Sequence, residues 1–158
     1  MSNFRTEIKW GFLFTTMMIL WMLGERLAGL HGENIARHAT WSNAVLVPAL
    51  TIYWLALRDK RENSYDGKMT WAQGFKAGAI ITAVVALLTP LTQWLTSAVI
   101  SPDYFANAIE YGVSSGQTTQ ENAEAFFNRK NYIILSFIMS IVMGLTTTAI
   151  IALFVRRK

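Results

Sequence analysis

The chain has 158 residues, 53% hydrophobic, 13% aromatic and 15% charged, with a formal net charge of +4 and no cysteine. Soluble domains carry about 25% charged residues, so this is a membrane-type composition and not that of an ordinary soluble domain. The missing cysteines exclude disulfides, thiolate metal sites and cysteine nucleophiles.

The charges are segregated: none occurs from Trp10 to Gly24, Trp41 to Leu57, Ala77 to Ile100 or Asn131 to Val155. A membrane-crossing helix needs about 20 apolar residues to cover about 30 Å of hydrocarbon. The pattern predicts an all-α fold, a four-helix transmembrane bundle in one integral membrane domain, 1–158. Its spans lie at about 8–30, 41–57, 76–100 and 131–155, with short amphipathic outer helices in the connection 101–130.

The first span holds the pair Glu25–Arg26 near one rim, and apart from Lys9 and Lys76 at the span ends these are the charges within the spans. Intramembrane ionisable groups are functional candidates by default, but the rim position favours snorkelling to the interface or pairing in a loop. The basic start and apolar run also fit a secretory signal peptide. A cut after Ala28 then puts Arg26 at minus three, where a small residue is needed, so an uncleaved span is preferred. In the following loop, HGENIARHAT, Gly32 and Asn34 suit a turn. His31, Glu33 and His38 lack the spacing of a helical metal site, so a polar loop is expected and no metal.

Pro48 falls within the second span and predicts a kink. A polar link with an SYDGK turn follows. In the third span Thr82, Thr89, Gln93 and Thr96 track one face around Pro90. With Glu25 they form the candidate polar path, while Gly74 and Gly78 make a small-xxx-small pair that lets another backbone approach. Next, Ser101 as N-cap, Pro102 and Asp103 suit a helix start, with Phe105, Ala108 and Ile109 on one face. GVSSG is expected to break it. Thr118 and Glu121 have capping-box spacing for a second short helix. Asp103, Glu110, Glu121 and Glu124 make an acidic, solvated outer face.

In the fourth span Ser136, Ser140, Gly144 and Thr148 recur every fourth residue. In lipid, close packing and inter-helix hydrogen bonds hold helices together, so this ladder is expected to be a packing edge in preference to a solute path. Its hydroxyls are expected to bond across the interface or to return to their own i−4 carbonyls.

With the N-terminus inside, ten basic residues (Arg5, Lys9, Arg58, Lys60, Arg61, Lys68, Lys76, Arg156, Arg157 and Lys158) face the cytoplasm. Only Arg26, Arg37, Arg129 and Lys130 lie outside. This positive-inside bias puts both termini in the cytoplasm. It also accounts for the basic charge without nucleic acid, which calls for aromatics interleaved with basic residues on a folded surface.

The stretch GKMTWAQGFKAG, with Gly67, Thr70, Trp71, Phe75 and Lys76, resembles a motif of a family of small bacterial four-span membrane proteins catalogued only as a domain of unknown function. The Pro102–Asp103–Tyr104 turn and the basic Arg156–Arg157–Lys158 end are similar too, although Trp71 stands where Phe is commoner. The resemblance implies a multi-pass protein of the bacterial cytoplasmic (inner) membrane and no activity.

No catalytic constellation, cofactor site or phosphate loop is readable. The expected function is non-enzymatic: a structural or accessory subunit contacting membrane lipids and other membrane chains or its own copies. The alternative is a small transporter or channel with a weakly polar path along the third span.

Overall fold

The computed structural model describes residues 4–157; Lys158 of the basic terminus lies outside the described residues. The elements are α1 (Arg5–Leu27), α2 (Ile35–Trp41), α3 (Leu46–Ser64), α4 (Trp71–Leu95), α5 (Tyr104–Ser114), α6 (Gln120–Phe126) and α7 (Arg129–Val155). A 3-10 turn, Ser42–Val45, joins α2 to α3, and a π turn, Thr96–Ile100, extends α4. Among the described residues the chain is all-α, and its extended pairing is a single bridge between Met69 and Arg157.

Three continuous helical stretches are long and apolar enough to cross a membrane: Ile35–Ser64, Trp71–Ile100 and Arg129–Val155. α1 falls outside that set, because its apolar run is bounded by Lys9 on one side and by Glu25–Arg26 on the other.

Several boundaries differ from the sequence expectation for local reasons. α1 stops at Leu27, because Gly29 (φ +75°) turns the chain and its carbonyl accepts from the Gly32 and Asn34 amides. The loop beyond is partly helical, as α2. Pro48 falls within the continuous stretch Ile35–Ser64, just after its 3-10 turn. It stands in the first turn of α3, where a missing N–H costs least, and the 3-10 turn lies where its ring meets the preceding backbone. α4 starts earlier than expected, on a capping box between Thr70 and Gln73, and continues through Pro90. α5 starts at Tyr104 without a side-chain cap, and the Ser101 hydroxyl is engaged elsewhere. The helix runs past Gly112 to Ser114, where Gly116 (φ +72°) follows the end. α6 is capped by Thr119, one residue later than expected.

α1, α3, α4 and α7 run side by side. α1 spans the bundle end to end: Glu7 pairs with Lys60 near the end of α3, and Glu25 reaches Ser42 near its start. We call these the Glu7 end and the Glu25 end. The buried core (Tyr53, Leu57, Met69, Ile81, Ile151, Val155) fills the half nearer Glu7.

Small residues set the tightest seam, between α4 and α7. A Cβ on Gly78 would overlap the Thr148 side chain, one on Gly144 would come within 2.5 Å of Thr82 Cγ2, and one on Gly74 within 3.3 Å of Ala152. The seam is reciprocal at its centre, where Gly78 receives Thr148 and Gly144 receives Thr82. Gly11, which the sequence reading passed over, lets α1 approach α4: a Cβ there would lie 2.5 Å from Val84. Its spacing of four from Thr15 was the available signal.

Polar groups close the Glu7 end. Lys9 and Trp10 Nε1 both reach Asp59, and Arg61 donates to the Val155 carbonyl at 2.8 Å. Lys60 and Arg61, which the sequence placed among the basic residues facing the cytoplasm, are buried there, 8% and 7% exposed.

Candidate functional site

The other half of the bundle is less tightly filled and holds two partly open hollows. A cavity of about 340 Å³ lies among α1, α3, α4 and α7, floored by Tyr53 and Val85 and walled by Thr89, Gln93, Thr96, Ser136, Ser140 and Met143. A second, of about 370 Å³, adjoins it toward the Glu25 end. The two share Met22, Val45, Gln93, Thr96, Ser136 and Met139 in their linings.

Most hydroxyls along this chamber return to their own helices. Thr89 donates to the Val85 carbonyl, Thr96 to Thr92, Ser136 to Tyr132 and Ser140 to Phe137. The chamber wall is therefore weakly polar, as helix-satisfied hydroxyls are.

The sequence-predicted groups thus separate. Gly74, Gly78, Gly144 and Thr148 form the α4–α7 seam, while Ser136 and Ser140 of the same ladder line the chamber. Of the candidate path, Thr89, Gln93 and Thr96 line the chamber. Thr82 is sealed below its floor, bonded to Tyr53 Oη at 2.9 Å and to the Gly78 carbonyl.

Of the two expectations for Glu25, snorkelling and pairing in the loop, the structure shows the second. Glu25 is 3% exposed, and its partner in sequence, Arg26, is the exposed one. Its Oε1 accepts from Trp21 Nε1 at 2.7 Å and from Ser42 Oγ at 2.6 Å; its Oε2 lies 3.2 Å from His31 Nε2. A buried carboxylate needs such partners, since an uncompensated charge out of water is costly.

His31 is equally buried, and its Nδ1 meets Ser101 Oγ at 2.6 Å. The π turn explains the reach of Ser101: its amide bonds back five residues to Thr96 at 2.7 Å, which turns the hydroxyl toward His31. His38, on α2, sits with Nδ1 3.2 Å from Ser42 Oγ and Nε2 3.3 Å from Tyr104 Oη. Burial pushes the Tyr104 phenol above its ordinary value, and the tautomer of His38 sets which of the two groups donates.

Ligand atoms of Glu25, His31 and His38 all lie within 4.8 Å of one another. The sequence grouped the two histidines with Glu33, which is exposed; the carboxylate present is Glu25. The cluster roofs the chamber, and α5 covers it. Tyr104 packs on both imidazoles, and Asn107 Nδ2 donates to the His31 carbonyl at 2.8 Å. The α5 segment therefore caps the bundle. Arg129 fastens the adjoining turn through Ser97 Oγ and its carbonyl, at 3.1 and 3.2 Å.

A family model described as "Protein of unknown function (DUF4199)" matches residues 9–157. No curated protein and no solved structure matches the chain.

Proposed function

The chain belongs to that family, and we propose that it is a non-enzymatic four-span protein of the bacterial cytoplasmic membrane. In this reading it takes a small, largely apolar molecule into the chamber from the periplasmic side. The observation that carries the reading is the pair of adjoining cavities ending at a buried Glu–His–His cluster. Ligand sites are mostly apolar concavities with a few placed polar groups, and this chamber has that form.

Four spans are supported by the position of α1. It lies alongside α3 and α4 from Glu7 to Glu25, and its 23 residues extend about 34 Å. If its neighbours cross the bilayer, α1 crosses with them. The basic residues gathered at the Glu7 end support a cytoplasmic placement of that end, which puts the cluster on the periplasmic side.

The accessory-subunit expectation rested on small residues in excess of what one bundle needs. Gly74, Gly78, Gly144 and Thr148 are occupied within the α4–α7 seam, which favours the chamber reading. Binding is favoured over catalysis because the hydroxyls below the cluster are held by helix carbonyls.

Because the chain has no cysteine, single replacements report without background. Gln93→Cys and Thr96→Cys are expected to react with a small charged thiol reagent added to intact cells. Their rates should exceed that of the sealed Thr82→Cys by more than about tenfold, since thiol modification follows access. Equal rates at the three positions overturn the chamber.

A further inference from the structure

We propose that Glu25, His31 and His38 bind one divalent transition-metal ion, with an open coordination position facing the chamber. Two imidazole nitrogens and one carboxylate oxygen, with no sulfur, form a donor set that zinc and its first-row neighbours take. Three protein ligands leave the fourth tetrahedral position free, the pattern of a site that binds an exogenous ligand.

The geometry supports this at the closest pair. With zinc–ligand bonds of about 2.1 Å, two tetrahedral ligand atoms stand about 3.4 Å apart. His31 Nε2 and Glu25 Oε2 are 3.2 Å apart. Either a proton or a metal ion fits between them. All three ligand atoms lie within 4.8 Å of one another.

The surrounding groups leave these same atoms available. Trp21 and Ser42 both engage Glu25 Oε1, which turns Oε2 inward. Ser101 engages His31 Nδ1, so that Nε2 is the free nitrogen. His38 has Ser42 and Tyr104 beside its ring, one of which holds whichever nitrogen the metal leaves. Metal-bound histidines have such outer partners almost always, and these partners fix the ring and raise ligand basicity. The ligands come from α1, from the turn after it and from α2, while Ser101 and Tyr104 come from the far side of the bundle. An ion here would tie the N-terminal hairpin to the α4–α5 junction.

The test uses the purified full-length chain in detergent, stripped with a chelator and dialysed against buffered zinc, with the metal counted by elemental analysis. One zinc per chain is expected, with loss of more than about 100-fold in affinity for Glu25→Gln, His31→Gln and His38→Gln. Glu33→Gln should bind as the parent does. Ser101→Ala leaves the three ligands in place and should weaken binding about 10- to 100-fold. It keeps the question open to measurement if a ligand variant misfolds. Zinc should also raise the melting temperature of the parent chain and leave that of Glu25→Gln unchanged, because only a bound ion stabilises the fold. Cobalt in place of zinc should give the visible absorption of a four-coordinate site. Sub-stoichiometric zinc in the parent, or retention unchanged in Glu25→Gln, overturns the proposal. The site rests on the chamber reading only for its open position: thiol access at Gln93 tests the chamber, and metal stoichiometry tests the centre.

Discussion

Gly78→Val is expected to destabilise the bundle by about 3 kcal/mol, at the upper end of the overpacking range. A Cβ at residue 78 overlaps Thr148 Cγ2 and Oγ1, and the backbones of α4 and α7 must separate to admit it. Separation loses contacts all along the seam, including Thr82 against Gly144, and in lipid no hydrophobic gain between helices offsets that loss. Thermal unfolding in detergent, followed by circular dichroism, should show a melting temperature lower by about 6–12 °C. Gly78→Ala combined with Thr148→Gly exchanges the two shapes across the seam and should recover most of what Gly78→Ala alone loses. Gly24 meets nothing within 4 Å, so Gly24→Ala should be neutral or stabilise by up to about 1 kcal/mol through helix propensity. Equal melting points for Gly78→Val and Gly24→Ala contradict the seam.

Glu7→Ala is expected to cost about 3 kcal/mol, comparable to the breaking of other buried ion pairs. Glu7 and Lys60 are 2% and 8% exposed, with Nζ and Oε1 2.8 Å apart. Removing the carboxylate takes that counter-charge from a buried ammonium. The double change Glu7→Met, Lys60→Met removes both charges and should restore stability to within about 1 kcal/mol of the parent, as apolar replacements of buried pairs do. Lys9→Ala, at a half-exposed group paired with Asp59, is the control and should cost under about 1 kcal/mol. The pair is strong only if that end of the bundle is as closed as Arg61 and Val155 make it. A Glu7→Ala variant no weaker than Lys9→Ala contradicts that closure.

The long helical stretches and the α4–α7 seam were legible because each is a one-dimensional pattern. Charge-free runs mark long apolar helices, and small residues every fourth position mark one face. What such a pattern leaves open is the neighbour of that face at each level. The ladder packs at Gly144 and Thr148 and opens onto the chamber at Ser136 and Ser140, and nothing in the spacing distinguishes the two halves. The cluster was illegible for a different reason. Glu25, His31, Ser101 and Tyr104 meet through tertiary packing, so the sequence could set only Glu33 beside the histidines and pointed to a polar loop. Lys60 likewise stood in the sequence only as one of the basic residues facing the cytoplasm, and its partner Glu7 comes from α1 by packing.

The most direct test of the account is the side of the membrane on which each end of the bundle lies. Single cysteines at Glu33 and Ser114 mark the Glu25 end, and cysteines at Phe4 and Lys68 mark the Glu7 end; all four positions are exposed. An impermeant thiol reagent should label Glu33→Cys and Ser114→Cys in intact cells, and Phe4→Cys and Lys68→Cys only after lysis. Labelling of Phe4→Cys in intact cells while Lys68→Cys stays protected would remove α1 from the bilayer and contradict the four-span account, and labelling of both would contradict its orientation.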